Sequence, residues 1–147
     1  MKIYLASPFF TETEQTTYNK VIQYLRSQGH DVFVPQEHKI PNGENMLNDL
    51  WAEAVFSVDY LALCNCDTVV VLNYGLYSDS GTAWECGCAY ALKKKIINVL
   101  CNNQIDYSLM MLNGSTTTVW LDDLYNWFDI KNLLSRKPQN KVKAIQK

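Results

Sequence analysis

The chain has 147 residues, with 13 Lys and Arg against 15 Asp and Glu, a formal net charge of -2, and 48% hydrophobic residues. A single domain with its own core is expected at this size, and a broadly basic nucleic-acid surface and intrinsic disorder are excluded. No apolar run reaches the roughly 20 residues of a membrane span. The start, MKIYLASPFF, lacks the apolar segment and cleavage site of a signal peptide. The expectation is a cytoplasmic protein with neither a membrane nor a nucleic-acid polymer as partner.

Short strand-like runs alternate with helical stretches. Residues 2–6 (KIYLA) form an apolar run that ends at Ser7-Pro8. Thr11 with Glu14 three residues on is a capping-box pattern. Tyr18, Val21, Ile22 and Leu25 follow at helical spacing, and Gly29 stops the helix. Val32–Val34 is a second strand, followed by a polar loop over Gln36–Glu44. A long helix is expected from about Asn45 to Leu63, with Leu47, Leu50, Trp51, Ala54, Val58 and Leu61 apolar. Asp67–Leu72 (DTVVVL) is apolar at successive positions, as in a parallel strand covered on both faces. A loop over Asn73–Ser80 leads to a helix over about Gly81–Lys93, then strands at Ile96–Leu100 and Thr116–Leu121. A last helix, capped by Asp122, is expected to reach about Leu134. The domain is placed at residues 1–135, with a polar tail at 136–147.

This order predicts an α/β fold: a single-domain, five-stranded parallel sheet with helices on both faces, flavodoxin- or Rossmann-like. Ligands of such sheets bind beyond the carboxyl ends of the strands. Three segments are selected: Ala6–Phe10, Asn73–Ser80 and Asn102–Asn113. None is a glycine-rich phosphate loop. Ser7, Phe9 and Phe10 suit a planar, uncharged ligand, although such an aromatic pair also fits a core or an interface. Glu85 is expected in the first turn of its helix, held ionised by the dipole, as a candidate nucleophile. Asp79, six residues earlier, supplies a second carboxylate, the raw material of glycoside chemistry. Asp59, among Val58, Tyr60 and Leu61, is a candidate proton donor with a raised pKa. His30 and His38 are placed away from these ends and given no role.

The five cysteines (Cys64, Cys66, Cys86, Cys88 and Cys101) are an odd number. Their two C-x-C pairs lack the usual zinc spacing and read as free thiols acting as small hydrophobes. No metal or organic cofactor is expected.

The chain resembles the nucleoside 2-deoxyribosyltransferases from Lys2 through about Leu124. KIYLASPFF is similar to a form found in bacterial members. D-S-G-T-A-W-E-C-G-C-A-Y-A-L resembles the signature around the family's nucleophile, and Asp59 lies eight residues before Asp67, as in that family. The resemblance implies deoxyribosyl transfer between nucleobases through a covalent glutamate intermediate. It makes Glu85 the nucleophile and Tyr4 the residue that orients it. Asp59 and Asp79 become acids contacting the base or its protonation path and the sugar hydroxyls, with Phe9 under the base. Met110 matches a methionine that a neighbouring subunit inserts, which implies a homo-oligomer, dimer or hexamer.

Ser108 replaces the asparagine that holds the sugar 5′-hydroxyl in the transferases. It resembles the residue that related 2′-deoxynucleoside 5′-phosphate N-hydrolases set against the phosphate. Asp79 stands where those hydrolases have a small serine, and its charge would repel a phosphate dianion. The expected substrates are therefore free 2′-deoxynucleosides and nucleobases. An N-glycosidase and a non-catalytic binding module are the rival readings.

Overall fold

The computed structural model of the protein describes residues 1–102 and 106–126. Strands β1 (Lys2–Ala6), β2 (Asp31–Phe33), β3 (Thr68–Asn73), β4 (Lys95–Leu100) and β5 (Thr117–Trp120) form one sheet in the order β2-β1-β3-β4-β5. Every pairing is parallel, and Tyr4 lies between Phe33 and Val69. The strand order reverses between β1 and β3, so the carboxyl ends of these two strands open a crevice.

Helix α1 (Glu12–Ser27) follows the sequence pattern closely. The Thr11 hydroxyl accepts from the Glu14 amide at 3.2 Å, and the Glu14 carboxylate accepts from the Thr11 amide at 2.9 Å. Its face of Tyr18, Val21, Ile22 and Leu25 is buried. Gly29 ends the segment at φ +77°, a left-handed conformation that costs glycine little.

Helix α2 (Asn48–Asn65) begins later than expected, because residues 43–45 form a separate 3₁₀ turn. Its apolar stripe is not core: Leu47, Leu50, Trp51 and Leu61 are exposed, and Leu63 is the buried residue. Helical spacing identified the helix but not what lies against each side of it.

Helix α3 (Ser80–Ala91) buries Thr82, Cys86 and Ala89 against the sheet. A short helix, α4 (Leu109–Gly114), occupies part of the expected loop after β4, with the Ser108 hydroxyl accepting from the Met111 amide at its start. Helix α5 (Leu121–Tyr125) has Trp120 rather than Asp122 at its N-cap. The expected continuation to Leu134 and the boundary at residue 135 lie outside the described residues.

Side chains alternate across the sheet, as strand geometry requires. Ile3, Leu5, Val70, Leu72, Ile97 and Val99 pack with α1 and with Leu124 of α5. Tyr4, Ala6, Val69, Val71 and Ile96 pack on the opposite face, with Leu63 of α2, Cys86 and Ala89 of α3, and Met111 of α4. Cys66 and Cys86 fill core space as small hydrophobes, whereas Cys64, Cys88 and Cys101 are half-buried. Among the described residues, no helix is long and apolar enough to cross a membrane.

Candidate active site

The alternation along β1 sends Ile3 and Leu5 toward α1 and turns Tyr4 toward α3. Tyr4 is fully buried, and its hydroxyl donates to Glu85 Oε1 at 2.5 Å. Burial, followed by the neighbouring charge of Glu85, pushes the phenol pKa far above the ordinary tyrosine range. Tyr4 therefore stays protonated and acts as a fixed donor to the carboxylate.

Glu85 departs from the sequence expectation in one respect. The helix starts at Ser80, which puts Glu85 in the second turn rather than the first. The dipole falls off within a turn, so burial dominates. Desolvation raises the pKa of Glu85 from 4.5 to about 7; the Tyr4 hydrogen bond opposes that rise, and the charges of Asp59 and Asp79 add to it. Glu85 is thus poised between its two protonation states near neutrality, not held ionised throughout.

The carboxylate lines a cavity of about 570 Å³ beyond the ends of β1, β2 and β3. Ser7, Phe9 and Phe10 enter from the loop after β1, and Asp79, Gly81 and Thr82 from the start of α3. Asp59 enters from α2, with Trp51 and Val55 beside it. Five of the expected site residues other than Tyr4 therefore meet in one place: Glu85, Asp59, Asp79, Phe9 and Ser7.

Asp79 caps α3, with Oδ2 accepting from the Thr82 amide at 2.8 Å and from the Thr82 hydroxyl at 3.2 Å. A Cβ on Gly81 would lie 2.9 Å from that same oxygen, so glycine is what lets the carboxylate fold back over the helix end. Asp59 is half-buried; desolvation raises its pKa and the charge of His38 opposes the rise. Ser7 is buried, and its hydroxyl donates to the Pro8 carbonyl. Phe9 packs between Phe10 and Tyr18, at centroid distances of 5.2 and 6.0 Å.

Two expected residues lie elsewhere. Ser108 and Met110 belong to α4 and do not line this cavity; Met110 is 78% exposed. The neighbouring Met111 is the one buried under α4.

His38, given no role on sequence grounds, lines the cavity. Its ring stacks on Phe33 at 4.0 Å, and Phe33 stacks on Tyr4 at 5.4 Å. The available signal was its place after β2, whose carboxyl end adjoins that of β1. Lys39, Ile40, Gly43 and Glu44 come from the same connection. Among the described residues, no cluster of three or more His, Cys, Asp or Glu side chains is arranged to hold a metal ion.

The cavity thus gathers four carboxylates (Glu44, Asp59, Asp79 and Glu85) against Lys39 and His38, with aromatic walls. One half-buried carboxylate is braced by a tyrosine, and a second with a raised pKa stands nearby. This set can supply a nucleophile and a proton donor to a glycosidic bond.

No curated protein matches the sequence. Among solved structures, the chain is similar to a 2-deoxyribosyltransferase from Bacillus psychrosaccharolyticus, at 31% identity and a TM-score of 0.78, over 99% of this chain and 100% of that one. A conserved protein from Enterococcus faecalis V583 shares the fold at 21% identity and a TM-score of 0.74, over 87% of this chain and 96% of that one. So does a CMP N-glycosidase from Clostridium botulinum, at 21% identity and a TM-score of 0.58, over 84% and 98%. The family match itself runs over residues 3–121, from β1 to the start of α5, and takes in the whole Tyr4–Glu85–Asp59 arrangement. The chain belongs to the nucleoside 2-deoxyribosyltransferase family.

Proposed function

We propose that this protein transfers 2-deoxyribosyl groups between nucleobases, with retention of configuration, in the salvage of deoxynucleosides. The observation that carries this reading is the part-buried Tyr4–Glu85 hydrogen bond at the wall of an aromatic, acid-rich cavity. In the first step, a Glu85 oxygen attacks C1′ of a 2′-deoxynucleoside while the C1′–N bond breaks. The base leaves with the bonding pair and takes a proton from Asp59. In the second step, a nitrogen of an incoming base attacks C1′ and returns a proton to Asp59, and Glu85 leaves as a carboxylate. Tyr4 keeps Glu85 in line and stabilises its charged form. Phe9 stacks on the base, and Asp79 and Ser7 face the sugar.

Four carboxylates against one lysine and one histidine favour a free nucleoside over a 5′-phosphate dianion. Ser108 and Met110, outside their own cavity, are assigned to the site of a neighbouring copy in a homo-oligomer. An apolar surface beside the site supports that assignment: Phe56 stacks on Tyr60 and touches Trp84, and all three are exposed. Hydrolysis is the second reading, favoured by the open side of the cavity in a single chain, through which water could replace the acceptor base.

The test is chromatographic. Deoxyinosine or thymidine is incubated with the protein, with and without adenine or cytosine. New deoxyadenosine or deoxycytidine that requires the added base supports transfer. Free base released at the same rate with or without acceptor means hydrolysis. Repeating the assay with 5′-monophosphates tests the preference against phosphate.

A further inference from the structure

Resting on the reading of this cavity as a nucleobase site, we propose that His38 selects the exocyclic group of the base, favouring an amino over an oxo substituent. The backbone fixes which ring nitrogen is available. His38 Nδ1 lies 2.9 Å from the Val34 carbonyl oxygen, which can only accept. Nδ1 therefore carries the hydrogen, and in the neutral ring Nε2 is an acceptor. Stacking on Phe33 sets the plane of the ring, and that stack continues through Tyr4, the residue that braces Glu85. His38 keeps an exposed edge and lines the same cavity as Glu85, Asp59 and Phe9.

An acceptor nitrogen presented to the base edge rewards a donor there. Adenine and cytosine carry an amino group as that donor. Hypoxanthine and thymine carry a carbonyl oxygen at the same place, and two facing lone pairs repel. Asp59, on the same wall, would exchange its proton with a ring nitrogen, while His38 reads the substituent beside it. The two roles are separable, because His38 takes no part in forming or breaking the glycosidic bond.

The experiment measures binding of free adenine and free hypoxanthine to the purified protein by calorimetry. It is run at about pH 8. Wild type should prefer adenine by about tenfold, the scale of one hydrogen bond made or lost in a partly buried site. His38→Phe keeps the ring on Phe33 and removes both nitrogens, so the adenine-to-hypoxanthine ratio should fall toward one. His38→Gln offers an amide oxygen as acceptor and should recover part of the preference; it also reads the ratio if the phenylalanine variant does not fold. A ratio that is the same in wild type and in the variants overturns the proposal. Because the readout is binding, it is independent of turnover. A protein that discriminates bases through His38 but exchanges none would refute the transferase reading and leave this inference standing.

Discussion

The two faces of the sheet are built from the same strands, yet they do different work. On the α1 and α5 face, Ile3, Leu5, Val70, Leu72, Ile97 and Val99 form an aliphatic layer, with the buried Thr68 at one end of β3, and the aligned face of α1 closes over it. On the α2, α3 and α4 face, the alternate positions of those strands include Tyr4 and Asn98, and the covering helix brings in Glu85. The first face gains stability from the burial of apolar surface. The second face gives some of that up, because a carboxylate has been placed where ionisation is costly.

Substitution of Glu85 draws that contrast most sharply. Glu85→Gln should lower turnover by about 10⁴-fold or more, since a nucleophile has no substitute. The same change should stabilise the fold at alkaline pH. In the unfolded chain Glu85 ionises near its ordinary value of 4.5, and in the folded protein near 7. Between those values the folded state holds the extra proton, so wild-type stability declines as pH rises through the interval. The loss, on the order of 3 kcal/mol, is complete above the folded value. Denaturant titrations at pH 4 and pH 8 should therefore show the variant equal to wild type at the first and more stable at the second. A glutamine variant that is less stable at pH 8 would mean that this face is not built at a cost.

Leu25→Ala, on the opposite face, should do the reverse. Leu25 is fully buried, and its truncation should cost about 2–5 kcal/mol of stability. The pH dependence of kcat/KM for the folded fraction should be unmoved. A changed profile would show that the two faces are coupled.

Asp59→Asn should reduce kcat by about a hundredfold, the lower range for loss of general acid–base catalysis. It should also remove a charge that raises the Glu85 pKa, so the acidic limb of kcat/KM should move to lower pH. Tyr4→Phe is the smallest and most diagnostic change. It removes the hydrogen bond that opposes the rise in the Glu85 pKa. The acidic limb should therefore move to higher pH, and a displacement of about one pH unit would cost about tenfold in kcat/KM on that limb. A limb that stays in place in both variants would show that Glu85 is not the group whose ionisation is being read.

Legibility in the sequence follows the same division. The strands of DTVVVL and IINVL, and α1 with its capping box, were readable because each signal is local. The D-x-G-T-A-x-E block marked Glu85 and Asp79 for the same reason: the cap, the close-approach glycine and the glutamate lie within seven residues. The protonation state of Glu85 was not readable. Glu85 lies beyond the first turn of its helix, and its desolvation beside Tyr4, Asp59 and Asp79 decides its protonation state. The surroundings of α2 were hidden as well, since helical periodicity records that a stripe is apolar and not what covers it. His38 was missed because the loop after the second strand is ordinary in sequence. Only the adjacency of β2 and β1 in the sheet brings it to the cavity.

Taken alone, the sequence determined the α/β alternation, the parallel sheet and the family. These depend on side-chain period, capping and short motifs, all of which act over a few residues. The tertiary structure decided that Tyr4 meets Glu85 across 81 positions of chain, that Asp59 and His38 face the same cavity, and that Ser108 and Met110 do not. Those outcomes depend on strand order, on which face each side chain takes, and on how much water each charge loses. These are properties of the assembled sheet and its helices, not of any segment alone.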